Sequence, residues 1–320
     1  MEVKRRTARS LVAKLSSVSE QTRADALAEL RLISKVDAES RPLIAEAGAI
    51  PYLAETLYSA SYASQENAAA TLLNLSISTR DALISTHGLL DALSHALSHH
   101  SSPPKTSADA VQSCAATLHS LLIAGDAYRP IIGAKRDIVF SLVDIVKNPT
   151  SPTRSVKDAL KAMFGIALYP PNRSTMVSLG AVSALVSLMV KDSRTGIVED
   201  ASAVVGQIAG CEESEEALRK VSGVRVLVDL LDPGTGSSMR IKENAVAALL
   251  NVARSGSERA LREVKEMVAA AEEEVTEEIM EVAESGSSKG KMKALELLQL
   301  VINEDRHSRL DFLLNQNSND

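Results

Sequence analysis

The 320-residue chain has no tryptophan, only three phenylalanines and only five tyrosines. Such poverty in aromatics removes the stacking platforms that hold single-stranded nucleic acid and the cages that hold quaternary ammonium groups. It also leaves the core to Leu, Ile, Val and Ala, a mixture suited to many thin helices in close contact. Cysteine is scarce too. Cys114 and Cys211 lie far apart, with no Cys or His at ligand spacing. That excludes a disulfide framework and a Cys-rich zinc module, and fits a reducing compartment. No apolar run reaches the roughly 20 residues of a bilayer span, and no apolar segment follows the basic N-terminus as a secretory signal would require. Excess positive charge is absent as well: the net charge is −6, without the basic footprint of a nucleic-acid binder. The one basic cluster, Lys4-Arg5-Arg6, reads as a solvated terminus rather than a localisation signal. These absences lead us to expect a soluble intracellular protein, cytoplasmic and/or nuclear, with no nucleic-acid or membrane partner.

Catalytic signatures are missing in the same way. The chain has no Gly-x-Gly-x-x-Gly, Walker-type loop, nucleophile elbow or His-Glu-x-x-His. Gly234-Thr-Gly236, after Pro233, reads as an inter-helix loop, since no Lys follows directly. His95 and His99 stand four apart with His100 and His119 nearby, but no carboxylate or thiol accompanies them at a recognised metal spacing. They read as surface histidines. Cys114 reads as a small core hydrophobe and Cys211 as a loop thiol. No catalytic residue, metal or cofactor is expected.

What the sequence does contain is a repeat. Ala68-Ala-Ala-Thr-Leu-Leu-Asn74-Leu and Ala245-Val-Ala-Ala-Leu-Leu-Asn251-Val match almost letter for letter. Weaker copies run through Cys114 to Ser120, Ala159 to Gly165 and Ala201 to Gln207, with terminal copies ending at Leu32 and Gln299. The last template positions, 32, 74, 120, 165, 207, 251 and 299, are spaced 42, 46, 45, 42, 44 and 48 residues apart. A period near 40–47 belongs to two- or three-helix solenoid units, not to the shorter tetratricopeptide or ankyrin units. A second element precedes most copies: Gly48-Ala-Ile-Pro, Gly88-Leu-Leu-Asp, Gly180-Ala-Val-Ser and Gly223-Val-Arg-Val. There glycine ends one short helix and lets the chain turn into the next. Apolar residues within a unit recur at helical spacing, as in Leu53, Leu57 and then Ala68, Leu72, Leu75. The expectation is an all-α solenoid of six to seven repeats over residues 1–302. Its approximate boundaries are 8–47, 48–87, 88–134, 135–179, 180–222, 223–267 and a degenerate 268–302. Residues 303–320 form a polar tail, with Leu310, Phe312, Leu313 and Leu314 as a possible cover for the last repeat.

The unit resembles the armadillo repeat. The stretches Glu29 to Lys35, Arg41 to Pro51, Gln65 to Ile77, Ile132-Gly133, Tyr169 to Asn172 and Lys289 to Ala294 resemble the armadillo region of plant U-box ubiquitin ligases, over residues 8 to 302. That resemblance implies a right-handed superhelix whose third helices line a concave groove, where asparagines hold the backbone of an extended peptide. It places Asn74 and Asn251 at the groove asparagine, with Gln207 and Ser120 as substitutes. Seven residues earlier lies a second polar row: Asp25, Asn67, Ser113, Asp158, Asp200 and Asn244. Only residues 1–7 precede the first repeat, too few for a U-box, so ligase activity from this chain alone is not expected. Four residues before the asparagine, where nuclear-import adaptors carry tryptophan, stand Ala28, Ala70, Ala116, Lys161, Ala203 and Ala247. Recognition of basic localisation peptides is disfavoured accordingly.

The reading is therefore a non-enzymatic scaffold for partner proteins, bound as a peptide or helix. The alternatives are the substrate-recognition part of a plant-type ligase and, less favoured, an import adaptor. Removing Asn74 and Asn251 should weaken binding with little loss of stability. The acidic stretch 272–284 reads either as a solvated helix face or as a dock for a basic partner.

Overall fold

Apolar residues at three- and four-residue spacing, broken by glycine and by Ser-led polar turns, fold as short helices throughout. The computed structural model describes residues 1–98, 105–123, 125–192 and 194–301, and among these there is no strand. His99, His100 and the polar tail with Leu310 to Leu314 lie outside the described residues. Two compact units are present, Met1–Asn172 and Arg173–Asp320.

The first unit opens with α1 (Glu2–Lys14) and α2 (Glu20–Val36). Three helix triplets follow: α3 (Ser40–Glu46), α4 (Ala49–Thr56) and α5 (Tyr62–Ser76); α6 (Arg80–Ser85), α7 (Leu89–Ser98) and α8 (Ala108–Ile123); α9 (Tyr128–Gly133), α10 (Arg136–Lys147) and α11 (Thr153–Ala167). The third helices α2, α5, α8 and α11 stack in succession. The second unit repeats the plan: α12 (Arg173–Ser178), α13 (Ala181–Lys191) and α14 (Thr195–Ile208); α15 (Glu212–Lys220), α16 (Gly223–Asp229) and α17 (Met239–Ala253); α18 (Glu258–Ala270), α19 (Glu272–Ser285) and α20 (Ser288–Val301). Here α14, α17 and α20 stack. Seven third helices thus carry the seven template copies. This is the armadillo arrangement, and each repeat gains its stability from its neighbours.

Helix starts follow local chemistry. Ser19, Ser61, Ser238 and Ser257 cap α2, α5, α17 and α18 by accepting from backbone N–H groups three residues on. The left-handed turn before the second helix falls on Gly48 (φ 83°), Gly88 (81°) and Gly180 (88°), where the glycine signal predicts it. The fourth case differs. Ser222 takes the left-handed turn (φ 52°), and Gly223 is instead the first residue of α16. Glycine is needed there for space, because a Cβ would lie 2.6 Å from Leu218.

The core is aliphatic. Leu30, Leu53, Leu72, Leu93 and Leu118 are fully buried, as are Ala68, Ala115, Ala159, Ala201 and Ala245 on the third helices. Those alanines let third helices approach one another closely. No described Phe or Tyr is buried. Cys114 sits in the core, and burial pushes its thiol up to about 12. Along the acidic stretch, Val275, Ile279 and Val282 are buried. Glu281 pairs with Lys242 of α17 at 2.7 Å, and Glu278 contacts the same ammonium. Part of that acidity therefore serves contact between α19 and α17, not a free face.

Candidate partner-binding face

Each third helix starts from a polar turn and carries its buried alanines on the sides that touch its neighbours. Its remaining face, spaced by three and four residues, holds the polar rows. In the first unit, Asn67 and Asn74 on α5, Ser120 on α8 and Asp158 on α11 are half-buried. In the second unit, Asp200 and Gln207 on α14 and Asn244 and Asn251 on α17 are likewise half-buried. Ser113 departs from its row. It is buried inside α8, and its carbonyl accepts from the Thr117 hydroxyl.

Most of these side chains reach across to the neighbouring repeat. Asn74 Nδ2 donates to Ser34 Oγ on α2 at 3.0 Å. Asn251 Nδ2 donates to the Gly206 carbonyl on α14 at 2.7 Å. Asn244 Nδ2 serves both the Glu199 carbonyl and Ser202 Oγ at 3.1 Å. Arg31 Nη1 donates to Asn67 Oδ1 at 3.0 Å, and Gln112 Nε2 to Asp158 Oδ2 at 2.6 Å. The asparagines are thus clamps between successive third helices. The expectation that their removal leaves stability nearly untouched is corrected by these bonds, since a lost donor strands a partly desolvated acceptor. The Oδ1 atoms of Asn74 and Asn251 accept no hydrogen bond among the described residues, nor do the Ser120 and Gln207 side chains engage one. Asn251 and Asn74 therefore each hold the repeat with one end of the amide and offer the other.

The row is interrupted at Gly165 for a steric reason. A Cβ at that position would lie 2.7 Å from the Leu122 Cβ of α8, so Leu122 fills the place an asparagine would take.

A further set of clamps escaped the sequence reading. Eight residues before the template's last position stand Glu66, Glu199 and Glu243. Each accepts from the serine that begins the next third helix. Ser107 Oγ donates to Glu66 at 2.5 Å, Ser238 Oγ to Glu199 at 2.7 Å, and Ser287 Oγ to Glu243 at 2.9 Å. The signal was a Glu in that column whose successor repeat opens with Ser. It becomes visible only once the repeats are aligned by helix start.

Hollows of about 420 and 320 Å³ open at helix turns of the first unit, and none of the polar-row residues lines them. His95 stacks on Tyr58 with ring centroids 4.5 Å apart. Among the described residues no three His, Cys, Asp or Glu side chains are placed to hold a metal ion.

Comparison with known proteins agrees with this architecture. U-box domain-containing protein 16 of Arabidopsis thaliana is 31% identical over 276 residues, which cover 85% of this chain and 38% of that protein. The chain spans 34–40% of the length of this and two further plant U-box relatives. Among solved structures, an engineered protein matches with a TM-score of 0.64 at 24% identity, covering 78% of this chain and 97% of the other. A designed armadillo repeat protein matches with a TM-score of 0.51 at 21% identity, covering 92% and 99%. The family described as Plant U-box protein ARM repeat region matches residues 8–310. With repeat, fold and family in agreement, the chain belongs to the armadillo-repeat region of plant U-box proteins.

Proposed function

We propose that this chain is a protein-interaction scaffold that holds an extended partner segment against its third helices. The observation that carries this reading is the half-used amide. Asn74 and Asn251 spend Nδ2 on the neighbouring repeat and leave Oδ1 free. Such an acceptor in each unit, with a small alanine four residues earlier, suits the backbone N–H groups of a peptide whatever its side chains. Asn67, Ser120, Asp158, Asp200, Gln207 and Asn244 flank these acceptors within their own units and complete the proposed contact set. The face offers amides, hydroxyls and carboxylates, but no nucleophile paired with a base, so binding rather than catalysis is its role.

Binding to a random peptide library displayed on phage tests the reading. Selected peptides should lose affinity when Gln207 and Ser120 are replaced by bulky Arg, with the fold intact by far-ultraviolet circular dichroism. Selection of no peptide at all would sink it.

A second reading has its own support in the plant U-box relatives: the chain supplies substrate recognition to a ubiquitin ligase system. This chain with activating and conjugating enzymes should form no ubiquitin chains by itself. Autoubiquitination from it alone would overturn the non-catalytic assignment. An import-adaptor role is disfavoured by alanine at five of six places four residues before the template's last position; tight binding of a Lys-rich localisation peptide would revive it. Cytoplasmic and/or nuclear residence is part of the proposal, and a fluorescent fusion reads it directly.

A further inference from the structure

In a chain of net charge −6, the third helices of the first unit include a stretch free of carboxylates. The C-terminal halves of α5, α8 and α11 run from Ala70, Ala116 and Lys161 to Ile77, Ile123 and Leu168, and contain no Asp or Glu. Lys161 is the one Lys or Arg within them. It is half-exposed and makes no ion pair or hydrogen bond among the described residues. Its natural partner by helical spacing is Asp158, three residues earlier. Gln112 of α8 holds that carboxylate at 2.6 Å, and no oxygen of it lies within ion-pair distance of Lys161. Asp109, at the start of α8, is exposed and forms no ion pair either. Arg154 and Lys157, seven and four residues before Lys161, add two further cations on the same side of α11, again without ion pairs among the described residues.

Exposed and half-exposed apolar residues recur along the same three helices. Ile77 is 48% exposed and Ile123 64% exposed, each three residues beyond its template polar site, while Leu73, Phe164 and Leu168 are half-exposed. An exposed Ile at the same register on two successive stacked helices, α5 and α8, with an unpaired ammonium on α11, the next helix of the stack, gives the face both apolar and charged contact points for a partner. Gly165, closed by Leu122, leaves no side chain of its own one turn beyond Lys161.

We propose that this half of the first unit's face binds an extended protein segment that sets one Asp or Glu between apolar residues. The acidic side chain pairs with Lys161, and its apolar neighbours cover Ile77 and Ile123. The inference rests on the scaffold reading above and names the partner's chemistry. Charge complementarity selects acidic over basic segments, and the apolar contacts distinguish the site from a purely electrostatic surface.

The test uses the full chain against a library of random dodecapeptides, followed by fluorescence anisotropy on the selected sequences. An acidic residue flanked by Leu, Ile, Val or Phe should be enriched at one position. Lys161→Glu should weaken those peptides at least tenfold and shift selection toward Lys or Arg at that position. Ile123→Ser should weaken them at unchanged charge preference. Because Lys161 has no ion-pair or hydrogen-bond partner among the described residues, the thermal midpoint of Lys161→Glu should match the parent, which separates lost binding from lost fold. Peptides selected without an acidic position, or bound equally by Lys161→Glu, overturn this inference and leave the scaffold reading standing. Selection of no peptide removes both.

Discussion

Asn74 and Asn251 occupy matching places in the repeat, yet their loss should not cost the same. The Asn251 amide is bonded to the carbonyl of Gly206, a buried residue. Asn251→Ala therefore leaves an acceptor stranded, at about 1–3 kcal/mol. Asn74 donates instead to the Ser34 hydroxyl, which keeps its own bond to the Arg31 carbonyl. Its replacement should cost only about 0.5–1.5 kcal/mol, the ordinary worth of a satisfied bond. Urea denaturation of the two single variants gives the ranking; equal costs would show that the acceptor's identity does not matter. At the N-terminus, hydrogen bonds from Lys4 and Ser40 hold the Asp37 carboxyl down at about 2, against an ordinary 3.8. A depressed carboxyl stabilises the fold above its ordinary pKa and loses that contribution as pH falls through the lowered one. The anchor of α1 should accordingly weaken between about pH 4 and pH 2. A carboxyl NMR titration of Asp37 should return toward the ordinary value in Lys4→Ala.

Between neighbouring third helices, two devices recur: the asparagine clamp and the Glu–Ser latch. At Gly165 the asparagine is missing for a steric reason. Gly165→Asn, which would install the residue found at Asn74 and Asn251, should destabilise the protein by about 1–3 kcal/mol through overpacking against Leu122. Combining it with Leu122→Ala should recover part of that loss, since the asparagine then has room; calorimetric midpoints of the single and double variants decide. The polar columns were legible in the sequence because side chains at one register position share one face. What those side chains bond to was not legible. Ser34 and Ser202 stand in a neighbouring repeat about 40 residues away, and nothing in a one-dimensional pattern tells a groove asparagine from one that also clamps. Gly223 was misread for a related reason. A glycine needed for space beside Leu218 and a glycine needed for a left-handed turn look alike in sequence.

At the scale of the molecule, the fold class was readable because a solenoid writes its architecture as a period, and seven copies make the period hard to miss. Its division into Met1–Asn172 and Arg173–Asp320 was not, since the repeat runs on through the boundary without a change in composition. Aliphatic cores in both units follow from the same scarcity of aromatics. That scarcity is uneven. All five tyrosines, Tyr52, Tyr58, Tyr62, Tyr128 and Tyr169, belong to the first unit, and so do Phe140 and Phe164. With no tryptophan anywhere, near-ultraviolet absorbance and emission come almost wholly from one part of the chain, and from rings at or near its surface. Tyrosine fluorescence therefore follows the melting of the first unit while the second stays dark. Any gap between that signal and the far-ultraviolet dichroism of the helices is a direct readout of how independently the two parts unfold.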